Sequence, residues 1–290
     1  SFCFQYDILE LNTAAKATYM KVLLSRGADK LVYLDPDTVL FDSLSRLDEL
    51  LDMHSIILTP HSTQSYENEK RELDLLRAGI FNLGFIAVKN DPNAISLLLW
   101  WEKRLHQGCR SDMALGYHVD QKWIDLVPAF FEGVHILKEP GYNVATWNFH
   151  DHAFTFRDNR WYLGGQTLKF FHFSGFNPFN LNIVSKNQER YSMENIGELR
   201  RLFCDYSQNC MRLGFADTIR WPYAFGAYDN GESITPKARR VYLGEFSQGH
   251  QFGNPFSTGP DSFYQWLMRG GELMKREQLV DLLDKQAGDW

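Results

Sequence analysis

Residues 30–38 read KLVYLDPDT, and the apolar run in this segment leads directly into two aspartates. Such a run is typical of a buried strand in a parallel sheet, and Pro36 ends it because proline cannot donate to a ladder. Asp35 and Asp37 lie two positions apart on extended backbone, so their carboxylates point to the same side. Ligands bind at such strand ends in open α/β sheets, and paired carboxylates suit Mg²⁺ or Mn²⁺. The segment predicts a metal site, and the alternative is an Asp-Pro-Asp turn in which one aspartate caps the next element.

Apolar runs and helical periodicity alternate along the chain up to about residue 180. Short buried strands are predicted at 31–34, 55–58, 81–88, 134–137 and 170–173. Helices are predicted at 13–26, 44–53, 91–105 and 120–126, and an exposed loop or helix at 66–77. Strands that alternate with helices indicate an α/β fold with a mostly parallel sheet and flanking helices.

Beyond residue 180 this alternation weakens. A helix is predicted at 193–206, a region rich in Gly, Pro and aromatic residues at 214–263, and a charged helix at 263–285. We therefore divide the chain into a main domain at 1–180 and a loop-rich, aromatic C-terminal extension at 181–290. The extension either binds a ligand or packs its aromatic side chains onto the main domain.

The composition is that of an acidic globular protein. The 290 residues include 30 Lys and Arg against 36 Asp and Glu, which excludes a nucleic-acid binder that works by phosphate neutralisation. No apolar run approaches the ~20 residues of a membrane span, so no transmembrane segment is expected. The cysteines are scattered and form no CxxC pair, which favours a reducing compartment. Aromatic residues reach 15%, and many stand beside Gly or Asn, which suits either a large core or contact with sugars.

Two enzyme families have a similar aspartate motif. Residues 35–38, DPDT after an apolar strand, resemble the first motif of the haloacid-dehalogenase phosphohydrolases, and residues 56–59 resemble their second motif. This resemblance implies that Asp35 is a phosphorylated nucleophile and that Asp37 is an acid/base. That family also requires a late acidic cluster after an apolar strand, and the late aspartates of this chain lack such a setting.

The second resemblance covers about residues 12–180 and is to glycosyltransferase family 8, which has the GT-A fold. The DxD motif of that family, which holds the metal on a nucleoside diphosphate, is similar to residues 30–37. Other segments resemble those of the family in the same order, namely TY at 18–19, FNLGF at 81–85, DQ at 120–121, YN at 142–143 and HFSG at 172–175. The ordered set is more specific than any single motif, so the chain is similar to this family.

The resemblance implies that Asp35, Asp37 and His172 bind Mn²⁺, or Mg²⁺, together with the diphosphate. Two carboxylates and one imidazole suit Mn²⁺ and leave room for phosphate oxygens. The cation would offset the charge of the departing diphosphate as a Lewis acid. Taken alone, a histidine in an aromatic strand could instead make one structural hydrogen bond.

The resemblance also implies contacts with the sugar donor. Asn82 would offer its amide to the sugar hydroxyls, and Gly84 would let the backbone approach the sugar closely. A strand bulge with a satisfied asparagine is the alternative for this pair. Gly175 would let the backbone approach a phosphate. Lys16 would reach the diphosphate as a point charge, with a solvated lysine as the alternative.

Asp120 and Gln121 would lie at the reacting face of the sugar. Members of the family retain the anomeric configuration, which requires either a nucleophile or entry of the acceptor on the front face as the diphosphate leaves. Gln121 is a poor nucleophile, and the sequence leaves both routes open. A helix N-cap is the alternative role of Asp120.

We therefore expect a metal-dependent, retaining glycosyltransferase that moves a sugar from a nucleotide-diphosphate sugar, a UDP-sugar in the first instance, to a carbohydrate or glycolipid acceptor. The extension at 181–290 would bind that acceptor or cover the active site, or it would pack its aromatic side chains onto the main domain. The expected setting is polysaccharide biosynthesis, in the cytoplasm or peripheral at the membrane. The alternatives are the phosphohydrolase described above and a non-catalytic carbohydrate-binding protein.

Two features depart from the family pattern. Only 34 residues precede Asp35, so the first strands of the GT-A fold and its base-binding loop are expected to be missing or reduced here. In addition, NPF at 177–179 stands where Lys-Pro-Trp often follows the His-x-x-Gly segment. A lysine contact with the diphosphate at that point is therefore not expected.

Overall fold

The computed structural model describes residues 1–247, 249 and 251–269. The helices are α1 (Ile8–Ala14), α2 (Lys16–Ser25), α3 (Ser45–Met53), α4 (Glu69–Ala78), α5 (Pro92–Gly108), α6 (Val127–Phe130), α7 (Leu199–Arg212), α8 (Phe215–Thr218), α9 (Pro236–Ser247) and α10 (Phe263–Met268). The strands are β1 (Lys30–Leu34), β2 (Thr38–Leu40), β3 (Ile56–Leu58), β4 (Phe85–Lys89), β5 (Ser111–Asp112), β6 (Tyr117–His118), β7 (Val134–Ile136), β8 (Phe154–Arg157), β9 (Arg160–Leu163), β10 (Gln166–Thr167) and β11 (Phe170–His172). Short 3₁₀ helices lie at Phe2–Gln5, Met113–Leu115 and Lys122–Leu126. The chain thus has a mixed α/β fold, as the sequence predicts.

The largest sheet among the described residues has the strand order β1-β4-β3-β7. Strand β4 pairs antiparallel with β1 on one side and with β3 on the other, whereas β3 and β7 are parallel. The sheet is therefore mixed, and the prediction of a mostly parallel sheet is wrong. The physical reason is that burial on both faces makes a strand continuously apolar but does not determine the direction of its neighbours.

Helix α3 packs against this sheet. Its apolar stripe, Leu47, Leu50 and Leu51, shares one buried cluster with Ile57 of β3 and Phe85 of β4. The spacing of three and four residues places the leucines on one face of the helix. Each fully buried leucine contributes about 1.5–3 kcal/mol. This core holds the start of β4 next to the end of β1.

A separate strand pair joins the segment after β1 to the distant strand β11. Strands β2 and β11 are antiparallel, with Thr38 opposite His172 and Val39 opposite Phe171. The N–H of Phe173 extends the pairing because it donates to the carbonyl of Asp37 at 2.8 Å. This register brings His172 to the aspartate motif, although the two are far apart in the sequence.

Aromatic side chains form the core beside β11. Phe171 and Phe173 share a buried cluster with Phe203 of α7. The ring of Phe173 stacks on that of Tyr206 in α7, with 3.8 Å between the ring centroids. Helix α7 belongs to the extension predicted at 181–290, so part of that segment packs against the strand that carries His172.

The chain divides into two compact units. The first comprises Ser1–Tyr19, Leu99–Trp123 and the described part of Pro222–Trp290, and the second comprises Met20–Leu98 and Ile124–Trp221. These dividing points do not coincide with residue 180. The roles assigned to 1–180 and 181–290 stay predictions.

Several predicted helices differ from the observed ones at their ends. The helix predicted at 13–26 is two helices, α1 and α2, and Asp7 caps the first with its side chain. Gly27 follows α2 with a φ of +98°, a conformation that glycine adopts readily at helix ends. The helix predicted at 193–206 is α7, which begins and ends later. Helix α10 covers the start of the helix predicted at 263–285, and residues 270–285 lie outside the described residues.

Other helices agree with the sequence predictions. Helices α3 and α5 correspond to the segments predicted at 44–53 and 91–105, and the 3₁₀ helix Lys122–Leu126 lies within the one at 120–126. The charged segment at 66–77 largely forms α4, whose side chains are not buried. None of the helices that the structure describes has both the length and the apolar composition that crossing a bilayer requires.

Candidate metal centre

Asp35 and Asp37 follow β1 in a tight turn. The N–H of Asp35 donates to the carbonyl of Gly84 at 2.9 Å, and the N–H of Thr38 donates to the carbonyl of Asp35 at 3.1 Å. Tyr33 Oη donates to Asp35 Oδ1 at 2.8 Å, so a side chain of β1 orients this carboxylate. The side chains of Asp35 and Asp37 are 25% and 40% exposed, which leaves their oxygens accessible from solvent.

His172 completes the group. Its Nε2 lies 3.0 Å from Asp37 Oδ1 and 3.8 Å from Asp35 Oδ2. One ligand atom from each of the three residues lies within 4.8 Å of the others. The imidazole is almost fully buried, so protein contacts hold the ring while the carboxylates face solvent. The structure thus brings together the residues that the resemblance assigns to the metal.

These side chains fit a divalent cation. Two carboxylates and an imidazole nitrogen form a donor set that suits Mn²⁺. Carboxylates at this distance repel each other unless a positive charge lies between them.

Gly84 lies against the ring of His172. A Cβ at position 84 would overlap the imidazole and would approach Asn82 Oδ1 to 2.8 Å. The φ of Gly84 is not positive, so glycine is required by this close approach and not by its backbone conformation. The role predicted for Gly84 beside a donor sugar stays a prediction.

Asn82 belongs to a buried polar network. Its Oδ1 accepts hydrogen bonds from the N–H of Gly84 and from Asn143 Nδ2, both at 3.0 Å. Its Nδ2 lies 3.3 Å from His61 Nε2. These contacts support the alternative of a satisfied asparagine, and the contact with sugar hydroxyls stays a prediction.

Aromatic rings without an assigned role in the sequence also surround the candidate centre. Trp147 lies edge-on to His172 and to His61, with 5.2 Å between the ring centroids in each pair. Burial, a hydrogen bond with Cys210 and the negative charge of Asp37 together raise the pKa of Tyr206 well above its usual value. In the sequence, Trp147 lies in a segment at 142–149 where aromatic residues stand beside Asn, and this pattern could have indicated it. That pattern does not distinguish the residues that contact His172 from those that fill the core.

Gly175 lies in the turn after β11 and has a φ of +72°, which other residues rarely adopt. A Cβ there would approach Asn187 Nδ2 to 2.7 Å and Ser185 Oγ to 2.8 Å. The N–H of Lys186 donates to the carbonyl of Gly175 at 2.9 Å. Both the turn and its neighbours therefore require glycine, and the predicted approach to a phosphate stays a prediction.

In the first unit, Asp120 pairs with Lys16. Lys16 Nζ lies 2.9 Å from Asp120 Oδ2, and the side chains are 4% and 2% exposed. Trp101 Nε1 donates to the carbonyl of Asp120 at 3.1 Å, and the preceding Val119 has a φ of +43°, which is rare for a β-branched residue. The alternative of a solvated lysine is therefore wrong for Lys16. Gln121 is buried, and the roles predicted for all three site residues of this unit stay predictions.

The chain is similar to curated proteins of Bacillus subtilis strain 168. It is 28% identical to the uncharacterized protein YfnF over 179 residues, which are 60% of this chain and 59% of YfnF. It is 27% identical to the uncharacterized protein YfnD over 192 residues, which are 64% of this chain and 58% of YfnD. The chain thus spans less than two thirds of the length of the curated relatives it matches. No family model and no solved structure matches it.

Proposed function

We propose that this chain carries the activity of a metal-dependent glycosyltransferase, which moves a sugar from a nucleotide-diphosphate sugar to a glycan or glycolipid acceptor. The observation that supports it is the convergence of Asp35, Asp37 and His172. These residues come from opposite ends of the segment that resembles glycosyltransferase family 8. The GT-A fold, the retention of configuration and the use of a UDP-sugar belong to the proposal and rest on that resemblance.

The candidate centre has a defined task in this reaction. Asp35, Asp37 and His172 would hold the cation, which when bound neutralises charge on the departing diphosphate. The carboxylates are partly exposed, so the diphosphate has access to the side of the site that faces solvent. The buried imidazole of His172 would supply the nitrogen donor of the set.

Asp120 and Gln121 are the proposed residues at the reacting face of the sugar. A buried carboxylate without a partner would take up a proton rather than stay charged. Lys16 is such a partner, because its Nζ lies 2.9 Å from Asp120 Oδ2, and this buried contact fixes the position of the carboxylate.

The phosphohydrolase alternative has less support. Its family requires a late acidic cluster after an apolar strand, and the late aspartates of this chain lack that setting. The four cysteines are all free thiols, which agrees with the proposed location in the cytoplasm or at the membrane periphery.

Calorimetric titration with UDP and with GDP, each with Mn²⁺ and with EDTA, tests the proposal. A glycosyltransferase is expected to bind one of the nucleotides only when Mn²⁺ is present. A phosphohydrolase would instead release phosphate from a phosphoester, and a carbohydrate-binding protein would bind no nucleotide. The absence of binding to both nucleotides in the presence of Mn²⁺ would contradict the proposal.

A further inference from the structure

The amide of Asn82 is held at both ends by buried protein groups of the second unit. On the oxygen side it accepts from the N–H of Gly84 and from Asn143 Nδ2, each at 3.0 Å. On the nitrogen side it faces His61 Nε2 at 3.3 Å. The side chains of Asn82, Asn143 and His61 are 7%, 1% and 6% exposed, so water does not compete for these contacts.

The hydrogen bonds of His61 set which way this amide points. His61 Nδ1 lies 3.3 Å from the carbonyl of Ile80, an acceptor, so this nitrogen carries the ring proton. Nε2 is then an acceptor, and the group that faces it must be the amide nitrogen of Asn82. The oxygen of Asn82 is thereby turned towards Gly84 and Asn143.

Asn143 joins three segments at this point. Its Nδ2 donates to Thr59 Oγ1 at 2.8 Å as well as to Asn82 Oδ1. Its backbone has a φ of +49°, a left-handed conformation that asparagine tolerates better than most residues. The carbonyl of the next residue, Val144, accepts the N–H of His172 at 2.8 Å. The loop of Asn143 therefore contacts the strand that carries the histidine of the candidate metal centre.

The polar network of Asn82, Asn143 and His61 has two neighbours that contact the imidazole of His172. Gly84, which donates to Asn82, lies so close to the ring that a Cβ at that position would overlap it. The ring of Trp147 lies edge-on to that of His61 and to that of His172, with 5.2 Å between the ring centroids in each pair. A change in the orientation of the Asn82 amide would therefore displace the groups against which the imidazole rests.

We propose that Asn143 is a positioning residue of the metal centre, which together with His61 fixes the Asn82 amide and thereby the contact of Gly84 with His172. The inference deepens the proposed function and rests on it, since it requires that the centre binds a cation. Groups that hydrogen-bond directly to metal ligands typically contribute 10- to 100-fold to metal affinity, and Asn143, which acts through Asn82 and Gly84, is expected to contribute about 10-fold.

The test is a calorimetric titration of the nucleotide-free chain with MnCl₂. Asn143→Asp keeps the shape of the side chain but replaces the donating nitrogen with an oxygen that faces Asn82 Oδ1. Mn²⁺ affinity is expected to fall by roughly 10-fold. Asn68→Asp is the matched control, because Asn68 caps α4 through its Oδ1 and aspartate serves equally well there.

A second variant, His61→Phe, keeps a ring beside Trp147 and removes the acceptor for Asn82, and we expect the same loss of affinity. If Asn143→Asp does not fold, the Mn²⁺ affinity of His61→Phe tests the inference in its place. Thermal unfolding separates a general loss of stability from a loss of Mn²⁺ affinity in the folded protein.

The outcomes distinguish the inference from the proposed function. Suppose that wild type binds Mn²⁺ and that a folded Asn143→Asp or His61→Phe protein binds it with an affinity within twofold of the wild-type value. This result would overturn the inference and leave the proposed function standing. Failure of the wild-type chain to bind Mn²⁺, both alone and with UDP or GDP, would overturn the inference and the proposed function together.

Discussion

The geometry of the candidate centre depends on single residues whose neighbours lie far away in the sequence. His172 meets Asp37 because of a strand pairing, and it has room for its ring because position 84 is glycine. The resemblance to glycosyltransferase family 8 predicts that Asp35, Asp37 and His172 lie together, and the structure brings them together. The resemblance could not predict the contact of Gly84 with the ring, because that contact depends on how β4 and β11 approach each other.

Replacement of Gly84 with alanine is expected to damage the centre. The new methyl group would overlap the imidazole of His172, and overpacking of this kind costs about 1–3 kcal/mol. We expect a lower melting temperature together with weaker Mn²⁺ binding, measured by thermal unfolding and by calorimetry. Gly259→Ala is the control, because its Cβ would meet Ser257 Oγ at an ordinary 3.4 Å. Wild-type Mn²⁺ affinity in Gly84→Ala would show that His172 is not held by this contact.

The pairing of Lys16 with Asp120 is the second residue-level feature that a sequence pattern does not reveal, because the partners lie on separate elements. Lys16→Met would remove the positive charge that lies 2.9 Å from the buried Asp120 carboxylate. The expected loss is about 3–5 kcal/mol of unfolding free energy, measured by urea denaturation at neutral pH. Lys30→Met is the control, since Lys30 pairs with the exposed Asp48 and Asp52, and a much smaller change is expected. Equal losses in the two variants would contradict a buried ion pair.

Among the elements, the strands of the largest sheet, β11 and most helices could be predicted. Strands β2, β5, β6, β8, β9 and β10 were not predicted, and the directions of the strands were not predictable either. The runs at 55–58 and 81–88 are apolar because β3 and β4 are buried. Such a run of apolar residues can be recognised from the local sequence. Direction depends on which strands become neighbours, and β4 lies between β1 and β3 although it follows both in the sequence. A central antiparallel strand that is buried on both faces has the same apolar pattern as a parallel one.

The pairing of β2 with β11 brings His172 to the aspartates. Asp42, which follows β2, binds residues that precede β11. Lys169 Nζ and Thr167 Oγ1 each lie 2.6 Å from Asp42 Oδ2. These hydrogen bonds, that of Lys169 first, hold the pKa of Asp42 well below its usual value. The ionised carboxylate therefore stabilises the fold at neutral pH, and this contribution is lost as the pH falls below the unfolded value of about 3.9 towards the lower folded pKa.

Asp42→Asn is expected to lower the unfolding free energy by about 0.2–1 kcal/mol at neutral pH, because the pair is partly exposed to solvent. The difference from wild type should shrink as the pH is lowered below about 4. Urea denaturation over this pH range measures it, and Asp74→Asn, in a longer surface pair with Arg71, serves as the control. A difference that does not depend on pH would show that Asp42 acts through something other than its charge.

At the scale of the whole molecule, composition predicts the class of protein, whereas the order of the motifs predicts a candidate site. The net charge of −6 and the aromatic content of 15% describe an acidic α/β protein and do not identify a reaction. The division into two units was not predictable from the sequence, because the first unit is assembled from segments at both ends and in the middle of the chain. The expected metal ligands lie in one unit, while Lys16, Asp120 and Gln121 lie in the other.

The central claim is that Asp35, Asp37 and His172 bind a divalent cation that is required for binding of a nucleoside diphosphate. The most direct test is calorimetric titration of wild type, Asp37→Ala and Asp74→Ala with UDP and GDP in the presence of Mn²⁺. Asp74 is a suitable control because its side chain is 44% exposed, close to the 40% of Asp37, and lies on α4. We expect binding of one nucleotide by wild type and Asp74→Ala, and affinity lower by roughly 100-fold or more in Asp37→Ala. Equal nucleotide affinity in all three proteins, or binding that EDTA leaves unchanged, would contradict the claim.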